Sequence, residues 1–306
     1  MGKPEVSDGK RRILLKGLAA AAMLPSAGMA GDSPSLTRGI PASGEILTAI
    51  GLGTWQSFDV SGGEELAAAR ESLRQFAGLG GTVVDSSPMY GKSELAVGQL
   101  AAQLGLAGKL FLATKVWTTG RAAGVAQMNE SFRLLGTQRM DLMQIHNLLD
   151  ATTHVKTLRA WKEAGRIRYW GITHYHSGAY AEIERFMKVE RPDFLQINYS
   201  LAEPESGERL LPMARDLGLA VIANRPFAEG TLFGRVKGQA LPSWAADFDA
   251  ASWAQFFLKW ILADAAVTCA IPGTRNPKYL ADNMAAGRGR LPDHAARTRM
   301  AALLRA

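Results

Sequence analysis

The chain has 306 residues, 47% hydrophobic and 21% charged, which is ordinary globular usage and excludes a disordered or fibrous protein. Its one cysteine, Cys269, excludes an internal disulfide and a multi-cysteine zinc site, and no metal is expected. The net charge of +7 falls to +4 beyond residue 30, a surplus that suits an anionic small molecule and does not call for nucleic acid.

The chain opens with Lys10-Arg11-Arg12-Ile13-Leu14-Leu15-Lys16, an apolar stretch from Gly17 to Leu24, and small residues at Gly28-Met29-Ala30. A basic head, a short apolar middle and a small-residue end follow the order of a secretory signal. The arginine pair resembles the twin-arginine (Tat) export signal, with Lys10 where that signal usually has Ser or Thr. Gly17 to Ala30 is 14 residues with Pro25 inside it, short of the roughly 20 that span a membrane. Cleavage after Ala30 is therefore expected, leaving no spanning segment. Residues 1–30 are read as the signal, 31–44 as a Ser-, Pro- and Gly-rich linker, and 45–306 as the folded domain. The signal implies the Tat machinery as a partner, folding in the cytoplasm and a periplasmic or exported destination.

Beyond the linker, short apolar runs read as strands at 46–52, 82–85, 110–114, 141–145, 168–172, 194–197, 220–223 and 267–271. Helical spacing fills 64–77, 93–104, 122–135, 154–164, 178–188, 204–216 and 252–263. Nearly continuous apolar strands alternating with helices mark a parallel sheet buried on both faces. Eight such units predict an α/β fold, a (β/α)8 TIM barrel in a single domain. A doubly wound open sheet is disfavoured because no strand leads into a G-x-G-x-x-G turn.

Each apolar run ends in polar residues: Asp85, Lys115, His146, Thr173-His174, Gln196, Asn224-Arg225 and Gly273-Thr274. A barrel collects such tips at one mouth, where the strand-to-helix loops build a site. One polar tip means little, because a chain leaving a sheet usually meets water. Asp, Lys and His on successive strands exceed what solvation explains.

Several motifs lie at these tips. They are Gly51-Leu52-Gly53-Thr54-Trp55, Asp85-Ser86-Ser87-Pro88-Met89-Tyr90-Gly91, Thr114-Lys115-Val116-Trp117 and Asp141-Leu142-Met143-Gln144-Ile145-His146. Gly171-Ile172-Thr173-His174-Tyr175, Gln196-Ile197-Asn198-Tyr199 and Ile271-Pro272-Gly273-Thr274 follow. In this order and spacing the chain resembles the aldo-keto reductase superfamily. That resemblance implies an NADP(H)-dependent enzyme, NAD(H) being the lesser alternative, acting on a small carbonyl substrate. Its Asp, Tyr, Lys and His tetrad falls on Asp85, Tyr90, Lys115 and His146. Carbonyl reduction places growing negative charge on oxygen, which a phenol with a pKa of about 10 protonates reluctantly. Lys115 is expected to lower that pKa, Asp85 to hold Lys115, and His146 to hold the substrate oxygen.

The resemblance also puts Thr54 against the cofactor and Thr173, His174 and Gln196 at the nicotinamide carboxamide, His174 standing where the family has Asn. Arg225 reads either as a reach to a cofactor phosphate or as a rim ion-pair partner; the family's stacking tyrosine is absent from Asn224-Arg225-Pro226-Phe227. Gly273, Thr274 and Arg275 fall at the adenosine phosphate, with Asp282 and Asn283 at the adenine. Trp55, Trp117 and Tyr175 are expected to wall an aromatic substrate pocket. A second function on the same barrel is a non-catalytic cofactor-binding sensor or partner subunit, as potassium-channel beta subunits resemble. That role does not need an acidic Tyr90, so the intact tetrad favours the enzyme.

Overall fold

Inward and outward side chains alternate along each strand, and that alternation organises the molecule. The computed structural model describes residues 1–2 and 34–304, so the export signal expected at 1–30 lies outside the described residues apart from Met1 and Gly2. A hairpin of β1 (Thr37–Gly39) and β2 (Ile46–Thr48) comes first, paired antiparallel. Eight parallel strands then follow in consecutive order: β3 (Leu52–Gly53), β4 (Val83–Asp85), β5 (Phe111–Val116), β6 (Met140–His146), β7 (Ile167–Thr173), β8 (Phe194–Asn198), β9 (Ala220–Asn224) and β10 (Cys269–Ala270). The two ends of this sheet meet through parallel bridges, Ile50 to Ala270 and Gly53 to Gly273. The expected barrel fold is the result.

The helices between strands are α1 (Gly63–Gly78), α2 (Ser93–Gln103), α3 (Arg121–Leu135), α4 (Ala151–Glu163), α5 (Tyr180–Glu190), α6 (Ser206–Asp216), α7 (Thr231–Arg235) and α8 (Trp253–Leu262). Two more, α9 (Pro277–Ala285) and α10 (His294–Leu303), follow the last strand. The short α7, in a stretch whose sequence shows no helical spacing, lies between β9 and α8.

The predicted first strand, 46–52, is two elements. Ile46–Thr48 belongs to the hairpin, whose other arm begins inside the expected linker, and only Leu52–Gly53 joins the barrel. A barrel has a lower mouth to seal, and the hairpin seals it: Ile40 and Leu47 bury themselves among Phe111, Tyr169 and Phe194. Above this apolar plug the inward positions turn polar strand by strand. Val83 is followed two residues on by Asp85, Ala113 by Lys115, and Leu142 by Gln144 and then His146. Tyr169 leads likewise to Thr173, and Phe194 to Gln196. Most outward positions are apolar and pack under the helices, with Thr114 instead donating to Glu94 of α2 and Arg168 pairing with Asp141.

At the seam, Gly51 has no room for a side chain. A Cβ there would come within 2.9 Å of Cys269 Sγ and 3.0 Å of the Val83 carbonyl. Burial pushes the Cys269 thiol pKa far up, so this cysteine is an inert filler of the interior.

Candidate functional site

An ion pair lies at the centre of the polar layer. Lys115 and Asp85 are 0% and 2% exposed, and Lys115 Nζ donates to Asp85 Oδ2 at 2.7 Å. Nζ also donates to the Ser86 carbonyl at 2.7 Å. Asp85 Oδ1 accepts the side-chain amides of Gln196 at 2.8 Å and Gln144 at 3.2 Å. Charges at this depth persist only when paired and hydrogen-bonded, and here both conditions are met. Burial works to lower the Lys115 pKa, but the Asp85 charge and then Tyr90 more than reverse it, and the net direction is up. Lys115 is thus a cation across the neutral range.

Tyr90, in the turn between β4 and α2, lies beside that cation, with Nζ 4.9 Å from the ring centroid. The phenol pKa is raised: burial leads, the Lys115 charge pulls down, and the Asp85 charge pushes up again. The expected acidification therefore describes the lysine's contribution and not the sum. Desolvating a phenolate costs more than one cation, already neutralised by a carboxylate, returns. His146 stands opposite, its ring centroid 6.1 Å from that of Tyr90 and edge-on to it. Burial first, then the charges of Lys115 and His174, push its pKa down to about 3, so the imidazole is neutral at ordinary pH.

Tyr90 and His146 line a cavity of about 690 Å³ at the barrel's upper mouth. Trp55, Trp117 and Tyr175 stand in its wall, joined by Met89, Phe227 and Phe233. Five of the ten exposed large apolar side chains among the described residues, Trp55, Met89, Trp117, Tyr175 and Phe233, line this one cavity. An apolar concentration of that kind marks a binding surface. Phe233 comes from α7 and contacts Phe227 with ring centroids 4.9 Å apart. Its only signal in the sequence was a pair of phenylalanines in a glycine-rich loop.

The residues expected to hold a cofactor divide into two groups. Thr54, Thr173, His174, Gln196, Arg225 and Gly273 line the cavity. Thr54 is fully buried, and its hydroxyl donates to the Asp85 carbonyl at 3.0 Å and to Ser86 Oγ at 2.9 Å, which directs it into the wall. Thr173 Oγ1 donates to Gln196 Oε1 at 2.8 Å, so this pair extends the hydrogen-bond chain that ends on Asp85. The His174 ring accepts the Tyr175 backbone N–H at Nδ1, 2.9 Å away, and burial, then the charge of His176, lowers its pKa to about 4. Arg225 takes the rim ion-pair role. Its guanidinium meets Glu203 at 3.2 Å and also Glu229. It lies one residue past inward-facing Asn224, at φ +51°, and that left-handed backbone carries it to the rim.

Thr274, Arg275, Asp282 and Asn283 lie outside the cavity lining. Thr274 Oγ1 accepts the Asn276 N–H at 3.1 Å, just ahead of α9. Arg275 pairs with Glu65 of α1 and donates to the Gln56 carbonyl at 3.3 Å. Asp282 turns toward the start of α8, accepting from Ser252 Oγ and Gln255 Nε2, both at 2.7 Å, and Asn283 is buried. A carboxylate there suits the N-terminus of α8, whose dipole favours it.

The description "Aldo/keto reductase family" belongs to the family model that matches residues 49–300. Aldo-keto reductase YhdN of Bacillus subtilis (strain 168) is 28% identical over 203 residues, 61% of this chain and 60% of that protein's length. Methylglyoxal reductase YeaE of Escherichia coli (strain K12) is 28% identical over 255 residues, 80% of this chain and 88% of that one. Among solved structures, an aldo-keto reductase from Klebsiella pneumoniae in complex with NADPH superposes with a TM-score of 0.74 at 25% identity, covering 88% of this chain and 95% of that chain.

The buried pair yields a stability prediction. Lys115→Met leaves the Asp85 carboxylate unpaired and is expected to cost about 3–5 kcal/mol. Combining it with Asp85→Asn is expected to cost clearly less than the two single losses together, as measured by urea unfolding. Additive losses would contradict the coupling.

Proposed function

The chain belongs to the aldo/keto reductase family, and on that premise we propose that it reduces small aldehydes or ketones to alcohols with NADPH, Tyr90 acting as the acid. The observation that carries this reading is a phenol set against a buried Lys115–Asp85 pair, at the floor of an aromatic-walled cavity. The cavity fits a nicotinamide cofactor. Gly53 and Gly273 add no side chain to its lining, and a Cβ at Gly273 would come within 3.0 Å of the Gly53 carbonyl. Asn147 and Asn224, two further polar residues, also line it. When bound, NADPH supplies the hydride to the carbonyl carbon.

The protein's own part is proton supply and charge placement. Tyr90 gives its proton to the carbonyl oxygen as negative charge grows there. Lys115 interacts more strongly with the phenolate left behind than with the phenol, so its help appears during the reaction and not before it. Neutral His146 orients the oxygen without competing as an acid. The aromatic wall favours flat apolar carbonyl compounds. At the outer end, Arg275 is the cation proposed to receive the ribose 2′-phosphate, exchanging Glu65 for it. Export through the Tat route remains part of this proposal.

The activity predictions follow from these roles. Tyr90→Phe is expected to lose carbonyl reduction by about 100-fold or more while NADPH still quenches protein fluorescence; unchanged turnover contradicts the assigned acid. Reduction needs the phenol protonated and His146 neutral; with the phenol pKa raised and that of His146 lowered to about 3, kcat/KM is expected to stay flat from about pH 5 to about pH 10 and to fall only above that as the phenol ionises. A rise with pH through neutrality contradicts this sign. Arg275→Ala is expected to weaken NADPH more than NADH in fluorescence titration; an equal loss for both places the 2′-phosphate elsewhere. Replacing Arg11 and Arg12 together by lysine is expected to hold the protein in the cytoplasm on cell fractionation, and undiminished export contradicts the Tat reading.

A further inference from the structure

Ser87, in the turn after β4, reaches His146 across the barrel mouth. It is fully buried, and its Oγ lies 3.2 Å from His146 Nδ1. The same Oγ accepts the Met89 backbone N–H at 3.4 Å. The Met89 N–H can only donate, so among the partners of this hydroxyl in the described residues His146 Nδ1 is the one able to accept its hydrogen. A neutral imidazole carries one N–H and one bare nitrogen, and its neighbours decide which is which. The other ring nitrogen, Nε2, has no protein hydrogen bond and is not among the sealed, unpartnered atoms, and His146 lines the cavity. Nε2 is therefore the nitrogen that faces a bound molecule.

We propose that Ser87 is a positioning residue, whose hydroxyl donates to Nδ1 and holds His146 as the Nε2–H tautomer, so that the ring presents a hydrogen-bond donor to the cavity. The opposite tautomer would aim a lone pair at the substrate oxygen, repelling the charge that develops there. The target of the N–H rests on the carbonyl-reduction reading, but the tautomer does not. The turn from Asp85 to Tyr90 thus does double duty, carrying the acid and setting the hydrogen-bonding sense of the histidine opposite it.

The test is 15N-detected NMR of the histidine rings in the full chain, assigned with His146→Gln. In the unmodified protein His146 is expected to show a protonated Nε2 and a bare Nδ1. Ser87→Ala is expected to let the Nδ1–H form grow, and Ser87→Thr, which keeps a hydroxyl, to restore the original state. A protonated Nδ1 in the unmodified protein, or no change in Ser87→Ala, overturns the proposal. In turnover with an aromatic aldehyde, Ser87→Ala is expected to lower kcat/KM about tenfold, the factor one ordinary hydrogen bond supplies, with NADPH affinity unchanged and recovery in Ser87→Thr. Equal kcat/KM for Ser87→Ala and the unmodified protein also overturns it. The ring spectra need no turnover, so failure to reduce any carbonyl would remove the functional reading and leave the tautomer assignment to be judged on its own result.

Discussion

A cation sealed inside a barrel needs an anion, and the Lys115–Asp85 pair is the constraint on which the upper half of this molecule depends. Neither charge tolerates burial alone, and each uses nearly all its hydrogen-bonding capacity inside the protein. Lys115 takes Asp85 and the Ser86 carbonyl, while Asp85 takes Lys115 and the amides of Gln144 and Gln196. Those partners come from β4, β5, β6 and β8, and only a sheet rolled on itself brings four such strands within reach of one carboxylate. The apolar plug below, with Ile40, Phe111 and Phe194, keeps water from entering beneath the pair. The consequence above is a phenol that feels a positive charge it cannot displace.

That phenol stays protonated because it is buried, and the raised pKa of Tyr90 is consistent with the acid role. An acid that ionised in the resting site would have no proton to give. What Lys115 supplies is a difference between the two protonation states, which matters only when the proton leaves. The same separation of tasks extends around the mouth: aromatic side chains give shape and apolar contact, while the charged side chains Arg225 and Arg275 are held by Glu203, Glu229 and Glu65 at the rim.

The barrel and the tetrad were legible in the chain because burial on both faces makes parallel strands nearly all apolar, so their polar ends stand out. Asp85, Lys115, His146, Thr173 and Gln196 were visible for that reason. Ser87 and Gln144 were not, because a serine beside a proline and a glutamine inside a strand acquire meaning only from the neighbouring strand. The first strand divides in two although Ile46 to Leu52 is nearly continuous in hydropathy, and nothing in that run shows that a hairpin must close the lower mouth. Residues near the outer end were hardest. Asp282 has the type expected beside an adenine, yet α9 packs so that it reaches Ser252 and Gln255 of the α8 start. Arg225 lines the cavity from its rim, where a left-handed backbone angle one residue past Asn224 accompanies its pairing with Glu203 and Glu229.

The most direct measurement is a crystal structure of the chain with NADP and a carbonyl-bearing competitive inhibitor bound together. The account predicts the carbonyl oxygen within hydrogen-bonding distance of both Tyr90 Oη and His146 Nε2, with Lys115 still paired to Asp85 beneath. An inhibitor oxygen held by other groups, or a Tyr90 hydroxyl turned away from both the inhibitor and Lys115, would contradict it.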